Sequence, residues 1–389
     1  MPEYRFDEIA ILRNEKRTPV PEDKYTYVGL EHLDSGKLEV TRWGSEVDIK
    51  GEKLVMHKGD ILFGRRNTYL KRAAIAPHDG LFSAHGMIFR PNKKVISERL
   101  FPFFIASDYF MDAAIRISVG SLSPTVNWKT LRELKFKLPP LEQQNELADL
   151  MQAANDTKVA YEQMLLQIDE LVKSQFIEMF GIPEIGKTVW PEYRLQDLID
   201  QNWITYHLDG NHGGEYPRSN EFVDAGVPYI SANCVLDGKI DFSNAKYVTP
   251  ERADRFRKGI AQNMDVLFAH NATVGPVALL ETRESRVILG TSLTAFRCNT
   301  DYILPEYLKA YLECPRFVRQ YEAEMQQSTR KQVPITTQRK YTIVVPDLKK
   351  QGQIKLFIQQ SDKSKFELKQ AIERVTNLMK SLMQQDFAN

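Results

Sequence analysis

The chain has 389 residues, with 52 Lys and Arg against 51 Asp and Glu and a formal net charge of +1. This length allows two or three domains with separate cores, and the balanced charge excludes a strongly basic tail, so any contact with nucleic acid has to use local patches. Cys234, Cys298 and Cys314 lack metal-binding spacing and are too few for a disulfide framework, and no apolar run has membrane-spanning length, which together predict a cytoplasmic protein without a membrane partner.

The first predicted module spans residues 1–138 and holds 23 Lys and Arg against 18 Asp and Glu, a net charge of +5. Its clearest strand, Asp60-Ile61-Leu62-Phe63, leads into a turn crowded with basic, amide and aromatic residues. Arginine and asparagine can read guanine and adenine edges with two hydrogen bonds. A polar Gly-Ser-Leu-Ser segment precedes the last predicted strand, Leu134–Leu138. The residues that we assign to a DNA-binding face of this module are Arg65, Arg66, Asn67, Tyr69, Lys71, Arg72, His85, Ser121, Ser123 and Lys129.

A long helix is predicted over residues 139–181. Two prolines at its start suit a first helical turn, and Gly181 followed by Pro183 is typical of a helix end. Between these ends, seam residues recur at alternating spacings of four and three, with one lysine interruption: Leu147, Met151, Ala154, Lys158, Tyr161, Leu165, Ile168 and Val172. This heptad pattern predicts packing against a second helix.

The chain then repeats itself. Pro191-Glu192-Tyr193-Arg194 repeats Pro2-Glu3-Tyr4-Arg5, and Asp265-Val266-Leu267-Phe268 repeats the Asp60 strand. A second module, residues 182–345, therefore has the same organisation, with 19 Lys and Arg against 20 Asp and Glu and a net charge of −1. The predicted fold class is α+β, with two mixed α/β modules related by an internal repeat.

The second module has about 13 extra residues near its start, around the glycine-rich loop that follows Leu208. Loops of this kind commonly carry function. Asp209 and His212 could suggest a metal site, but such a site needs more ligands than this loop offers, so we interpret the loop as structural or DNA-contacting. The residues that we assign to a DNA-binding face of this module are Asn211, His212, Tyr216, Arg218, His270, Asn271, Thr273, Ser292, Ser328, Arg330 and Lys331.

The long helix is also repeated, over residues 346–389, and its seam keeps the lysine interruption at Lys365. The two helices differ in charge: residues 139–181 hold 2 Lys and Arg against 8 Asp and Glu, whereas residues 346–389 hold 8 against 5. An acidic and a basic helix with matching seams predict one antiparallel coiled-coil pair.

Motifs for catalysis are missing from the sequence. It contains no GxxxxGK[ST], no GxGxxG after a strand, no HExxH and no GxSxG. The lone histidines show no ligand spacing. A single basic cluster is explained equally well by a solvated surface, but clusters at matching places in two repeated modules favour a ligand face.

These features together resemble the specificity subunit of type I restriction-modification systems. The resemblance covers Tyr4 to Phe387 and rests on the Asp-Ile-Leu-Phe strand and its counterpart, the Gly-Ser before the last strand, and the Pro-x-Leu-x-x-Gln helix starts. It implies two target-recognition domains joined by two antiparallel spacer helices. Each domain would read one half of a bipartite, asymmetric double-stranded DNA sequence.

The resemblance also implies protein partners. Two modification subunits would dock on the helices and bring S-adenosylmethionine and the adenine methyltransferase site, and motor and nuclease subunits would join them for restriction. This chain would bind no cofactor and no metal and would hold no catalytic residue. The helix-start residues assigned to partner binding are Leu141, Gln144, Leu147, Leu348, Gln351 and Ile354.

Two other classes of function remain open from the sequence. One is a stand-alone nuclease or methyltransferase, although the chain lacks an Asn/Asp-Pro-Pro-Tyr/Phe motif. The other is a scaffold whose two modules bind proteins. The target sequence, the spacer length and the presence of a restriction subunit do not follow from the sequence.

Overall fold

A computed structural model describes residues 1–180, 188–211, 216–326 and 331–388, with side chains described as far as residue 384. The chain divides into two compact units. The first unit comprises Met1–Gln163 and Leu368–Asn389, and the second comprises Met164–Glu367. Each unit therefore contains one module and a part of each long helix.

The first module is built from short elements. Its strands are β1 (Glu3–Arg5), β2 (Ala10–Arg13), β3 (Lys16–Arg17), β4 (Lys53–Met56), β5 (Ile61–Phe63), β6 (Ala73–Ile75), β7 (Gly80–Phe82), β8 (Met87–Pro91) and β9 (Lys135–Lys137). Its α-helices are α1 (Phe6–Ile9), α2 (Phe101–Ala106), α3 (Asp108–Arg116) and α4 (Trp128–Leu131). Single 3₁₀ turns lie at Pro21–Tyr25, Leu30–His32 and Thr68–Leu70.

The core of the first module lies on a four-stranded antiparallel sheet with the order β2-β8-β5-β6. Phe63 on β5 and Phe89 on β8 point to the same face, where Phe6 packs edge-on against Phe89 at 5.2 Å between ring centroids and against Phe110 of α3 at 5.0 Å. A second sheet has the order β3-β4-β7. Strand β1 pairs antiparallel with β9, so the start of the module is joined to its last strand.

The long helix α5 (Leu141–Phe180) follows the first module, and α11 (Leu348–Ala388) follows the second. The strands of the second module are β10 (Glu192–Arg194), β11 (Ile204–Asp209), β12 (Phe222–Val223), β13 (Val227–Ile230), β14 (Val235–Leu236), β15 (Lys239–Ile240), β16 (Lys246–Val248), β17 (Ile260–Ala261), β18 (Val266–Asn271), β19 (Thr273–Leu279), β20 (Val287–Leu289), β21 (Leu293–Cys298) and β22 (Thr342–Val344). Its α-helices are α6 (Leu195–Asp200), α7 (Pro250–Ala253), α8 (Pro305–Leu312), α9 (Pro315–Met325) and α10 (Ile335–Gln338). Single 3₁₀ turns lie at Ser219–Glu221, Ala232–Cys234 and Phe242–Asn244.

The sheets of the two modules confirm the internal repeat and the α+β fold class. The sheet β11-β21-β18-β19 matches β2-β8-β5-β6, and the pair β10-β22 matches β1-β9. An ion pair with a buried carboxylate recurs at the same place: Asp60 binds Arg90 in the first module, and Asp265 binds Arg297 at 2.8 Å in the second. The second module differs in its other sheet, β12-β16-β13-β20-β17, which is larger than β3-β4-β7.

The two long helices pack antiparallel within each unit. In the first unit, Leu147 and Met151 near the start of α5 share a core with Met383 near the end of α11. In the second unit, Phe176 and Phe180 at the end of α5 share a core with Ile354 near the start of α11. This confirms the predicted coiled-coil pair. Helix α5 begins at Leu141, two residues later than predicted. Its first helical hydrogen bond runs from Gln144 N to Pro140 O.

The two lysines that interrupt the seams have polar partners. Lys158 Nζ donates to the carbonyl oxygen of Gly36 at 3.0 Å. Lys365 Nζ on α11 lies 3.0 Å from Asp169 Oδ1 on α5, so this pair joins the basic helix to the acidic one. The ammonium group of each lysine therefore has a hydrogen-bond or ion-pair partner.

Candidate nucleic-acid interface

The first-module recognition tip is the turn Gly64–Arg72 between β5 and β6. Asn67 and Lys71 both adopt left-handed backbone conformations, with φ of 54° and 46°, at the two ends of the 3₁₀ turn Thr68–Leu70. The Thr68 hydroxyl donates to Arg65 O at 2.8 Å, which closes the turn from inside. The exposed side chain of Tyr69 is therefore carried on a closed, hydrogen-bonded turn.

A second segment, residues 118–126, runs beside this tip. Asn67 N donates to Pro124 O at 2.7 Å, and Val126 N donates to Arg65 O at 3.0 Å. Across the same pairing, Arg66 Nη2 donates to Ser123 Oγ at 3.3 Å. The structure thus brings together the basic turn and the Gly-Ser-Leu-Ser segment, which the sequence separates by more than fifty residues.

The tip carries a concentrated positive charge. Partial desolvation lowers the pKa of His85, and the positive charges of Arg66 and Arg65 lower it further. The shift indicates that the charges of Arg65 and Arg66 lie near His85. Ser121 and Lys129 are exposed, and Leu122 between the two serines is 95% exposed.

Lys71 and Arg72 point elsewhere. Lys71 Nζ lies 2.6 Å from a carboxylate oxygen of both Asp108 and Asp112, and this ion pair is the main reason why the pKa of Asp108 is lowered. Arg72 donates to Leu30 O at 2.9 Å and to Arg66 O at 3.2 Å. Both side chains therefore brace the turn, and the structure does not present them to a ligand in the way that it presents Arg66.

The second-module recognition tip is the tight hairpin Asn271-Ala272-Thr273 between β18 and β19, with Ala272 in a left-handed conformation at φ 64°. Asn271 forms an antiparallel bridge with Gln332, and Val333 N donates to His270 O at 2.8 Å. The first module has the same two interactions, as a bridge between Arg66 and Thr125 and a bond from Val126 to Arg65. Each tip is therefore paired with the segment before its last short helix.

His270 is buried beneath its tip, although the sequence assigned it to the DNA-binding face. Its ring lies 3.1 Å from Thr291 O through Nε2 and 3.1 Å from the Thr294 hydroxyl through Nδ1. Ser292, half-buried, accepts from His270 N through its carbonyl and from Ala232 N through its hydroxyl. Thr273 and Lys331 are exposed, and Asn271 is half-buried.

The glycine-rich loop is anchored at its base. Asn211 is buried and donates through Nδ2 to Lys258 O at 3.0 Å, while Lys258 Nζ lies 2.7 Å from Asp209 Oδ1. Among the described residues, no group of His, Cys, Asp and Glu is arranged to hold a metal ion. Tyr216 and Arg218 are exposed beyond the loop. The predicted site residues His212, Ser328 and Arg330 lie outside the described residues.

Sequence reasoning missed a basic segment beside this loop. Arg255 and Arg257 are exposed immediately before Lys258, whose carbonyl holds Asn211. The backbone N–H of Asn211 donates to Leu289 O at 3.3 Å. The turn after Leu289 carries Thr291 and Ser292, whose carbonyl oxygens contact His270. The four basic residues between 252 and 258 were the signal that could have identified this segment.

The sequence of this chain matches the model of a known protein family. The model of the type I restriction modification DNA specificity domain matches the chain twice, over residues 4–168 and 190–376. The chain belongs to this family. Family members are recognition subunits without catalytic activity, and both recognition tips lie inside the two matched segments.

Several type I specificity subunits are similar to this chain. A putative type I restriction enzyme specificity subunit (MjaX) from Methanocaldococcus jannaschii is 24% identical over 328 residues, which cover 79% of this chain and 74% of the relative. The EcoDI specificity subunit from Escherichia coli is 24% identical over 45% of this chain and 40% of its own length. Among solved structures, the type I restriction-modification S subunit from M. genitalium has a TM-score of 0.52 at 14% identity, covering 98% of this chain and 95% of that chain.

A further solved chain comes from work described as the structural basis of complex assembly and conformational transition of the type I R-M system. It has a TM-score of 0.60 at 18% identity and covers 99% of this chain and 97% of that chain. At this identity the likeness shows the shared fold.

Four of the six residues that were predicted to bind partners at the helix starts are buried. Gln144 and Gln351 are buried and hydrogen-bonded within their own modules, and Leu147 and Ile354 lie in the cores. A side chain so enclosed has no surface to offer to another protein. Leu141 and Leu348, at matching positions, are 39% and 41% exposed and still offer apolar contact area.

Other apolar side chains on the long helices are exposed. They are Leu150, Met164, Leu166, Leu171 and Ile177 on α5 and Leu356, Phe366 and Leu378 on α11. They leave apolar contact area on both helices. Among the described residues, no helix is both long enough and apolar enough to span a membrane.

Proposed function

We propose that each module of this specificity subunit reads one half of a bipartite, asymmetric double-stranded DNA target. The observation that carries the proposal is the common construction of the two tips: each is paired with the segment before its last short helix, yet the side chains that they present differ. One scaffold with two sets of side chains is suited to two different half-sequences.

The first-module tip has the chemistry of a major-groove reader with a strong electrostatic component. Arg66, exposed and oriented by Ser123, has a guanidinium that can bind guanine O6 and N7 together. Arg65 adds positive charge that attracts the phosphate backbone, and the lowered pKa of His85 beside it favours a neutral imidazole, which can take part in hydrogen bonds. Ser121 and Tyr69 are exposed on the same two segments, and Lys129 is exposed on α4 just beyond them.

The second-module tip is neutral by comparison. It presents the amide of Asn271 and the hydroxyl of Thr273, and an amide can bind adenine N6 and N7. Phosphate contacts of this module would come from Arg255 and Arg257, together with Lys331. A half-site read in this way depends less on charge than the half-site of the first module.

The long helices would set the number of unread base pairs between the half-sequences and dock two modification subunits. The exposed apolar residues of α5 and α11, including the matching Leu141 and Leu348, would form the docking surface. The modification subunits would supply S-adenosylmethionine and methylate adenine, and motor and nuclease subunits would add restriction. This chain would contribute recognition alone.

The test is to co-express the chain with its modification subunit in a host without other methyltransferases and to map the methylated sites. A target of two defined half-sequences is expected. Exchanging residues 1–138 for the same module of a relative should change one half-sequence and leave the other. Methylation by the chain alone, or a simultaneous change of both halves, would contradict the proposal.

A further inference from the structure

Four buried polar side chains beneath the second-module recognition tip form one continuous hydrogen-bonded network. His207 on β11, His270 on β18, Thr294 on β21 and Gln338 at the end of α10 are each no more than 5% exposed. His207 Nε2 lies 3.2 Å from Gln338 Oε1, Gln338 Nε2 lies 3.0 Å from Thr294 Oγ1, and Thr294 Oγ1 lies 3.1 Å from His270 Nδ1. The network therefore joins three strands of the sheet to the segment that pairs with the tip.

With His270 neutral, the direction of the bonds follows from two backbone carbonyls, which can only accept. Thr291 O requires His270 Nε2 to donate, so His270 Nδ1 accepts from the Thr294 hydroxyl, which must in turn accept from Gln338 Nε2. Val333 O also accepts from Gln338 Nε2, at 3.0 Å, and this sets the orientation of the carboxamide. Gln338 Oε1 is then left to accept from His207 Nε2. In this arrangement each imidazole carries its one proton on Nε2.

The network fixes His270, the residue immediately before the second-module recognition tip. The His270 ring is bound at both nitrogens, its N–H donates to Ser292 O at 2.9 Å, and its carbonyl accepts from Val333 N at 2.8 Å. Asn271 follows directly in the chain. A side chain that discriminates between bases has to be held within a fraction of an ångström, because hydrogen bonds weaken steeply with misalignment.

The first module shows that the fold itself does not need these polar groups. Strand pairing makes Leu12 the counterpart of His207, since they face Phe89 and Phe296 at equivalent places, and Met87 the counterpart of Thr294. Leu131 ends α4 as Gln338 ends α10. These three residues pack in the apolar core of the first module.

Burying polar groups costs stability unless every group is satisfied, and apolar replacements of similar volume are often neutral or stabilising. The same scaffold is stable in the first module with apolar side chains at these places. We therefore expect the network to serve a property in which the modules differ. Their tips present different side chains and, under the proposed function, read different half-sequences. The first-module tip is held instead by its own hydrogen bonds, from Thr68 and Arg72.

We propose that His270, Thr294 and Gln338 are positioning residues for DNA recognition, which hold the second-module tip in the one geometry that discriminates its half-sequence. The proposal rests on the proposed function of the second module as a reader of one half-site. It assigns these side chains no contact with DNA.

The test uses two matched replacements of Thr294 in the full chain, co-expressed with the modification subunit. Thr294→Val removes the hydroxyl at nearly constant shape, and Thr294→Ser keeps it. Methylation of sites mismatched in the second half-sequence should rise at least tenfold in the valine variant and stay at the wild-type level in the serine variant. Discrimination in the first half-sequence should be unchanged in both.

A triple variant, His207→Leu, Thr294→Met and Gln338→Leu, introduces the first-module residues and guards against a merely structural explanation. It leaves His270 Nδ1 without its Thr294 partner, so it should unfold somewhat below the wild-type temperature but stay folded under assay conditions while losing discrimination in the second half. Met87→Leu in the first module is the control and should alter neither half. Unchanged discrimination in a folded Thr294→Val or triple variant would overturn the proposal, and so would an unfolded triple variant, which would make the network a folding requirement. A wild-type target that is not bipartite would instead contradict the proposed function.

Discussion

Gln144 and Gln351, 207 residues apart, make the same three hydrogen bonds at the same lengths. Each Oε1 accepts from a backbone N–H at 2.8 Å, from Ser97 or Leu304. Each Nε2 donates at 3.0 Å to a carbonyl two residues earlier, of Val95 or Tyr302, and at 2.8 Å to the proline carbonyl before its helix, of Pro139 or Pro346. One buried carboxamide thus joins each long helix to its own module.

Replacing this carboxamide should destabilise the module that it serves. Gln144→Ala leaves Ser97 N and Val95 O without their partner, and each buried polar group left unsatisfied costs about 1–3 kcal/mol. The free energy of unfolding of the first unit should fall by a few kcal/mol, measured by denaturant titration. Gln143→Ala, at the adjacent exposed position, is the matched control and should change it little. Equal stability of the two variants would show that the carboxamide does not hold the helix start.

The sequence predicted much of this arrangement but not the role of the glutamines. The offset of 207 identified Gln144 and Gln351 as equivalent, yet the repeat alone does not distinguish a partner contact from an internal bond, because the groups that they bind lie 47 and 49 residues earlier in the chain. His270 has the same explanation. Its place in the turn after the repeated strand suggested an exposed residue, and only the fold brings Thr294 close enough to bind it and Gln338 close enough to bind Thr294.

Arg66 and Lys71 should have separable effects although they lie on one turn. Arg66→Ala should weaken DNA binding by about 1–3 kcal/mol and relax one position of the first half-sequence, because it removes a base-reading guanidinium. Lys71→Ala should leave the target unchanged, since its ammonium is paired with Asp108 and Asp112. Competition binding with singly substituted DNA sites measures both. A uniform loss over all sites in Arg66→Ala would indicate a phosphate contact instead.

Arg255 and Arg257 should contribute affinity without specificity. Each phosphate contact that is lost should reduce the slope of log K against log salt by about 0.9. The double variant Arg255→Ala and Arg257→Ala should therefore bind more weakly at low salt and keep the same target. Lys239→Ala, which removes an exposed lysine paired with Glu281, is the control. An unchanged salt slope would place these arginines away from DNA.

The buried imidazole of His207 should make the second unit sensitive to acid. Burial lowers the pKa of His207 to about 4, with Arg339 and His270 lowering it further while Gln338 and Asp209 oppose the shift. Because the folded-state value lies below the ordinary one, this contribution to stability is complete above about pH 6.5 and is lost as the pH falls towards 4. At pH 5 the loss should be about 2 kcal/mol.

The matched variant for this effect is His207→Leu, which introduces the first-module residue and removes the titrating group. Denaturant unfolding at pH 7.5 and at pH 5 in both proteins separates this contribution from that of the carboxylates, which titrate in both. The wild type should lose more stability than the variant between these two values. The same loss in both proteins would assign the acid sensitivity to other groups.

We expect the two long helices to set the length of the unread spacer between the half-sequences. Asp169 on α5 pairs with Lys365 on α11, so seven residues inserted after Asp169 and seven before Lys365 extend both helices at one level and keep this pair. Seven residues preserve the heptad seam and add about 10 Å of helix at about 1.5 Å per residue. The spacer should lengthen by about three base pairs, each about 3.4 Å, where the helices run along the duplex, and by proportionally less if they are inclined to it.

Two-residue insertions at the same places turn each seam by about 200° away from its partner and should abolish activity, because each residue adds about 100°. Methylation mapping of both variants with the modification subunit gives the measurement, and an active heptad variant with an unchanged spacer would show that the helices do not determine the distance.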